Sequence, residues 1–292
     1  MALTPNTQTG TLSGKDHGTN DDLTGTGGPL YGDAFTMIDE ARGGNDVLTG
    51  GVGLINGLIG DAQDMFDHTR GGNDVLIGGA GSTTDNTMLG DAANMSGHAR
   101  GGNDLIIGGA DAIRNIVNAD GFSMTDYSVG GNDVVVGGDG AILNNLRGEG
   151  LFMSGHATGG NDVLIGGDGA GTTNNMIGDG RTMSDFAVGG NDTLVSGTGI
   201  DNMTGDGAII TGPNVTTGAD IFAFMPGNNA DTVNDFRQAD HDQIDVSAFG
   251  FDDIGDLNIS VVSGNTVIDF SGGNSVTLVG FTDPLTASDF IF

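Results

Sequence analysis

Asp46, Asp74, Asp104, Asp133, Asp162 and Asp192 each close a Gly-Gly-Asn-Asp tetrapeptide, whose copies begin at Gly43, Gly71, Gly101, Gly130, Gly159 and Gly189. A carboxylate held in a glycine-rich turn is equipment for binding a hard cation. Calcium takes roughly six to eight oxygens from carboxylates and main-chain carbonyls, and glycine permits the backbone angles that aim carbonyls at an ion. A second acidic series stands at Asp61, Asp91, Asp120, Glu149, Asp179 and Asp206, near the end of an N-x-apolar-x-G-D pattern. It is either a second ligand column or a set of turn residues facing solvent, and both readings stand. His68, His98 and His156 share a station three residues before Gly-Gly, where neighbouring copies carry Glu40, Tyr127 and Phe186. Adjacent histidines can bind a transition metal, but the mixed occupancy favours a surface position.

The elements that must position these groups follow from the spacing. Successive Gly-Gly-Asn-Asp copies lie 28, 30, 29, 29 and 30 residues apart. A period in this range marks a solenoid, in which each repeat is one rung. The apolar triplets after each Asp, such as Val75-Leu76-Ile77 and Val134-Val135-Val136, are too short and too glycine-bounded for helices, so they read as short strands. The expected fold is all-β: a parallel β-solenoid or β-roll with about three short strands per rung and rungs about 4.8 Å apart. From each second-series acid to the next tetrapeptide Asp the interval is always 13 residues, whereas the return interval varies from 14 to 17. The fixed arm predicts backbone locked into the stack, and the variable arm a loop that tolerates insertion.

Equivalent residues should then lie over one another. Leu48, Leu76, Ile106, Val135, Leu164 and Leu194 predict one inward apolar column, and Met65, Met95, Met124, Met153 and Met183 a second. A methionine row at this spacing reads as gap-filling core. Asn56, Asn86, Asn115, Asn144 and Asn174 predict an amide ladder bonded from rung to rung.

Composition narrows the function classes. Of 292 residues 57 are Gly, and 39 acidic against 8 basic residues leave a formal charge of -31. Nucleic-acid binding is disfavoured, because phosphate contacts need Lys and Arg. No Cys is present, which excludes disulfides and thiolate metal sites. No apolar run reaches the ~18 residues of a membrane span, so membrane insertion is not expected. The N-terminal stretch lacks the basic and apolar regions of a Sec signal. H-E-x-x-H and G-x-S-x-G are absent, and carboxylates repeated in every turn argue against one local catalytic pair. The chain is read as a non-enzyme.

The sequence divides into an N-terminal segment 1–19, a Gly/Asp-rich repeat 20–217, and a region 218–292 where Phe becomes frequent and the repeat ends. Alternation over Thr266–Phe270 and Ser275–Val279 predicts a hairpin within a small β cap.

Gly71-Gly72-Asn73-Asp74-Val75-Leu76-Ile77-Gly78-Gly79 and its identical copy at 159–167 resemble the calcium-binding nonapeptides of the RTX family, G-G-x-G-x-D-x-apolar-x. The period near 29 departs from the nines and eighteens of that family. Gly218–Phe224, Asp231–Phe236, Asp242–Phe249 and the end Ser288-Asp289-Phe290-Ile291-Phe292 are similar to the C-terminal region of serralysin-type exoproteins. The resemblance implies calcium as the bound ion, with the tetrapeptide Asp residues and their neighbouring glycines as ligands. It also implies a type I secretion apparatus as partner, export from a Gram-negative bacterium, and an extracellular or cell-surface location. The expected function is that of a secreted structural protein of the cell surface or matrix, which folds on calcium and self-associates head to tail into filaments or a layer. The alternative is an ice- or polysaccharide-binding adhesion module.

Overall fold

The computed structural model describes residues 10–292. The segment expected at 1–19 lies outside it as far as residue 9, while Thr11–Leu12 forms the first strand. The chain is a parallel β-solenoid of about eight turns, and three strands in each turn feed three sheets of 8, 10 and 11 strands. The apolar triplets build the 10-stranded sheet, from Asp22–Thr24 through Val47–Thr49 and onward. The Asn-bearing strands, such as Asp85–Leu89 and Arg114–Asn118, build the 11-stranded sheet. Those ending in Met, such as Ala62–Met65 and Ala92–Met95, build the third.

Register is constant along the stack. Leu48 pairs with Leu76, then Ile106, Val135, Leu164 and Leu194 follow, all fully buried. Each such side chain removed from water contributes roughly 1.5–3 kcal/mol, and it does so against its neighbours above and below. Met37, Met65, Met95, Met124, Met153 and Met183 form the second column, packed with Ala62, Ala92 and Ala157 in a separate core. No sulfur is presented to solvent there, as a packing role requires.

The variable arm falls where the intervals place it. Residues 50–54, 78–84, 108–113, 137–142, 166–172 and 196–199 connect the triplet strand to the Asn strand. Their lengths change in step with the spacing, and Val52 is exposed in one of them.

The Asn ladder runs through the rungs from Asn56 to Asn174. Asn86 Nδ2 donates to Asn115 Oδ1 (2.7 Å) and to the Gly79 carbonyl (2.9 Å), while its Oδ1 accepts from the Gly79 N–H (2.9 Å) and from Asn56. The pattern repeats to Asn174, which donates to Asp201. Replacing Asn115 by Ala strips partners from Asn86, Asn144 and both polar atoms of Gly109. At ~1–3 kcal/mol for each buried group left unpaired, calorimetry should show a loss of about 3 kcal/mol or more. The exposed Asn94, bonded only to Asp64, should be nearly neutral on the same change.

The composition shift near Thr217 does not end the stack. Phe222, Ile244 and Phe290 continue the Leu column in register. The hairpin forms from Asn265–Ser271 and Asn274–Leu278, with Gly272 and Gly273 at positive φ in its turn. A third strand, Asn258–Val262, closes the end of the 11-stranded sheet antiparallel.

Candidate metal centre

Both acidic series are buried and stacked. Asp46, Asp74, Asp104, Asp133, Asp162 and Asp192 are at most 3% exposed, and Asp61, Asp91, Asp120, Glu149, Asp179 and Asp206 at most 1%. The second series therefore does not face solvent, which removes the turn-residue reading.

Each series is held by main-chain amides. In the first, the acid reaches one rung back: the Asp74 N–H donates to Asp104 Oδ1 (2.8 Å), and the Asp104 N–H to Asp133 Oδ1 (2.7 Å). The neighbouring Asn of each tetrapeptide reaches the other way, as Asn73 Oδ1 accepts from the Asn103 N–H (2.8 Å). In the second series the acid accepts from the second glycine of the following tetrapeptide, as in Gly102 N–H to Asp91 Oδ1 (2.8 Å) and Gly131 N–H to Asp120 Oδ1 (2.7 Å). The 13-residue interval is thus fixed by a bond between its two ends: the acid at its start binds the glycine two places before the Asp at its end.

These amides satisfy one oxygen of most of these carboxylates and reach both oxygens of Asp61. The other oxygen of Asp46, Asp74, Asp104, Asp133, Asp162, Asp192 and Asp220, and of Asp33, Asp91, Asp120, Glu149 and Asp179, is buried without a hydrogen-bond partner. What surrounds these oxygens is more oxygen. A β-carbon placed on Gly60 would lie 2.1 Å from Asp74 Oδ2 and 1.8 Å from the Gly90 carbonyl oxygen. One placed on Gly101 would lie 2.4 Å from Asp91 Oδ2 and 2.1 Å from Asp120 Oδ1. Glycine is favoured at both stations because acceptor oxygens occupy the space a side chain needs, although one rung accommodates a methyl group at the first of them. Ala119 takes the place of Gly60 and Gly90 in one rung.

Acceptors gathered around one position call for protons or cations between them. Burial, the largest cause, pushes Asp74 up to about 9, Asp179 to about 8 and Asp46 to about 7. It raises Asp61 well above the usual carboxylate range, and the charges of Asp74, Asp91 and Asp33 add to the effect. Asp91, Asp104, Asp133, Glu149, Asp162 and Asp192 are raised in the same way.

The donor set suits a hard cation, being oxygen throughout. Among the described residues no group of three or more His, Asp or Glu side chains is disposed around one metal position. A cation here would draw on one or two carboxylates and on main-chain carbonyls. The first glycines, Gly43, Gly71, Gly101, Gly130, Gly159 and Gly189, lie against the second acid column, where a β-carbon would strike it. The second glycines, which the sequence reading did not single out, carry the amides that anchor that column. Also missed were Asp220 and Asp242, which extend the first column: the Asp192 N–H donates to Asp220 Oδ1 (2.8 Å) and the Asp220 N–H to Asp242 Oδ1 (3.1 Å). The apolar run after each of these acids was the available signal.

The histidine station is a ladder of rings. His68, His98, Tyr127, His156 and Phe186 stack with centroids 4.9–5.1 Å apart and planes within 24° of parallel. Rings stacked face to face put neighbouring imidazoles side by side, not around a common ion.

No helix among the described residues is long and apolar enough to cross a membrane. No protein-family model matches the chain, and none of the curated proteins searched is similar to it.

Proposed function

We propose that this chain is a secreted, non-catalytic calcium-binding protein of the cell surface or extracellular matrix, whose folding is driven by the ion. The observation that carries the reading is the pair of buried carboxylate columns, each with an unpartnered oxygen directed at other oxygens. Calcium, when bound, would supply the positive charge these columns lack. Because the columns exist only in the stacked state, binding free energy becomes folding free energy. Extracellular calcium modules work at roughly 10⁻⁴–10⁻³ M, so a chain of this kind stays open inside a cell and closes outside it. Export through a type I apparatus, threaded unfolded, is part of the proposal and rests on the resemblance of the C-terminal region.

Head-to-tail self-association belongs to the same reading. Among the described residues, the strands Thr11–Leu12, Asp22–Thr24 and Gly28–Tyr31 are the outermost strands of their sheets at one end of the stack. Ile209–Thr211 and Phe290–Ile291 are outermost at the other. Unpaired strand edges are templates for further pairing.

The test is calcium titration calorimetry on Asp104→Asn and Asp91→Asn, one from each column, beside Asp283→Asn on the exposed surface of the C-terminal region. The buried replacements should lower the number of ions bound or raise the calcium needed by about 10-fold, the scale of one lost charged ligand. Asp283→Asn should titrate like the parent. Identical titrations for all three would remove the columns from calcium binding.

A further inference from the structure

Half of the chain's eight lysines and arginines sit at one corner of a molecule whose formal charge is -31. Isolated parallel bridges join His17 to Arg42, Arg42 to Arg70, and Arg70 to Arg100, so one cation per rung rises in register. The station then passes to Val129, Thr158, Val188 and Thr216, and the charge ends. His68 and His98, at the start of the ring ladder, stand two residues before Arg70 and Arg100.

All three arginines are exposed, and none makes an ion pair among the described residues, although 39 acids are present in the chain. Lys15 is paired with Glu40, whereas Arg114 and Arg237 are paired elsewhere. Nearby Asp39 and Asp67 are occupied with main-chain amides: Asp39 accepts from Gly14 and Asp67 from Asp39. Two open grooves run beside the stripe, one lined by Glu40, Arg42, His68 and Arg70, the other by His17, Arg42, Asn45 and Arg70 with their glycines.

We propose that the Arg42–Arg70–Arg100 stripe is a binding site for a linear acidic polysaccharide laid along the solenoid axis. The guanidinium fork matches carboxylate and sulfate groups bidentately, and three forks at strand spacing, about 4.8 Å apart, form a linear comb. Nucleic acid suits it less well. The phosphates of a duplex advance about 3.4 Å along the helix axis on each strand, out of step with the comb. A second copy of the chain cannot supply its acidic columns as the partner strip, because they are buried.

The proposal depends on the fold and not on calcium, so it is tested on protein whose β structure has been verified by circular dichroism, with or without the ion. Binding would be measured by surface plasmon resonance to dextran sulfate, hyaluronate, neutral dextran and a (dT)-oligonucleotide. Dextran sulfate, hyaluronate or both should bind, with affinity falling as salt rises, and neutral dextran should not. Which of the two binds identifies the anionic group. R42Q/R70Q/R100Q should weaken binding about 100-fold, the upper scale of three exposed ion pairs, while R181Q, on an exposed arginine outside the stripe, should leave it unchanged. R42K/R70K/R100K, which keeps the charge, should restore part of the affinity and guards against a folding artefact. No binding to either acidic glycan, equal binding to neutral dextran, tighter binding to the oligonucleotide, or full binding by the Gln variant would each overturn the assignment.

Discussion

Freed of divalent cations at pH 8, the chain should give the circular dichroism of a coil, and millimolar calcium should convert it to β structure. Two columns of buried acids cannot all be ionised in the absence of counter-charge. Their unpartnered oxygens face carbonyls and one another, and each uncompensated buried charge costs several kcal/mol. Ordering a backbone with 57 glycines adds a large entropic penalty.

Protons should substitute for the metal. The folded-state pKa values are raised, to about 9 for Asp74 and Asp220, about 8 for Asp179 and about 7 for Asp46 and Asp206. In the unfolded chain an Asp titrates near ~3.9. A raised folded value means that the native state holds protons the unfolded chain has released. The contribution is fully present below the unfolded value and is lost as pH climbs through the folded values. Metal-free protein should thus lose β structure between pH 5 and pH 9, and calcium should flatten that dependence. At pH 5 the chain still lies above its isoelectric point near 4.1 and keeps a negative charge against precipitation. A metal-free chain that is fully folded at pH 8 and indifferent to a chelator would end the calcium proposal. Light scattering on the same samples addresses assembly separately: folding with constant scattering removes only the head-to-tail association.

The second large effect is expected from a single methyl group. In Gly160→Ala the new β-carbon would lie 1.3 Å from the Gly131 carbonyl oxygen and 2.5 Å from its carbon, both main-chain atoms of the rung beneath. The same residue donates its N–H to Glu149, so the backbone cannot retreat without abandoning the second acid column. The loss should exceed ~4 kcal/mol, beyond the ordinary range for point changes. Gly171→Ala is the comparison, since nothing lies within 4 Å of its β-carbon position; it should shift stability by no more than ~0.5 kcal/mol. Because a solenoid is held by interfaces between neighbouring rungs, the damage should be local. Limited proteolysis should cut Gly160→Ala near the altered rung before it digests either half. Uniform digestion, or calorimetric transitions for Gly160→Ala matching the parent, would contradict this account of the stack.

Much of the molecule was readable before any coordinates. A period near 29 residues, glycine-bounded triplets and invariant stations imply that equivalent side chains lie over one another. That principle alone anticipated the Leu, Met and Asn columns. The split between a fixed and a variable arm located the connections whose length changes, because hydrogen-bonded backbone cannot absorb an insertion and a surface turn can.

What the period does not carry is direction. Asp61 or Asp91 follows a strand and precedes another, and nothing in a five-residue window says whether its carboxyl turns in or out. Here that depends on an amide from a glycine eleven residues further on, Gly72 or Gly102, and on oxygens of the adjacent rung. The end of the stack was hidden for a similar reason. Phe222 and Ile244 replace leucine in the column, and the 22-residue step from Asp220 to Asp242 breaks the period, yet backbone pairing continues through both. Sequence determined which residues are equivalent, since equivalence is a matter of spacing. Tertiary structure decided which equivalent residues are buried, paired or exposed, since that is settled only by what the neighbouring rung places against them.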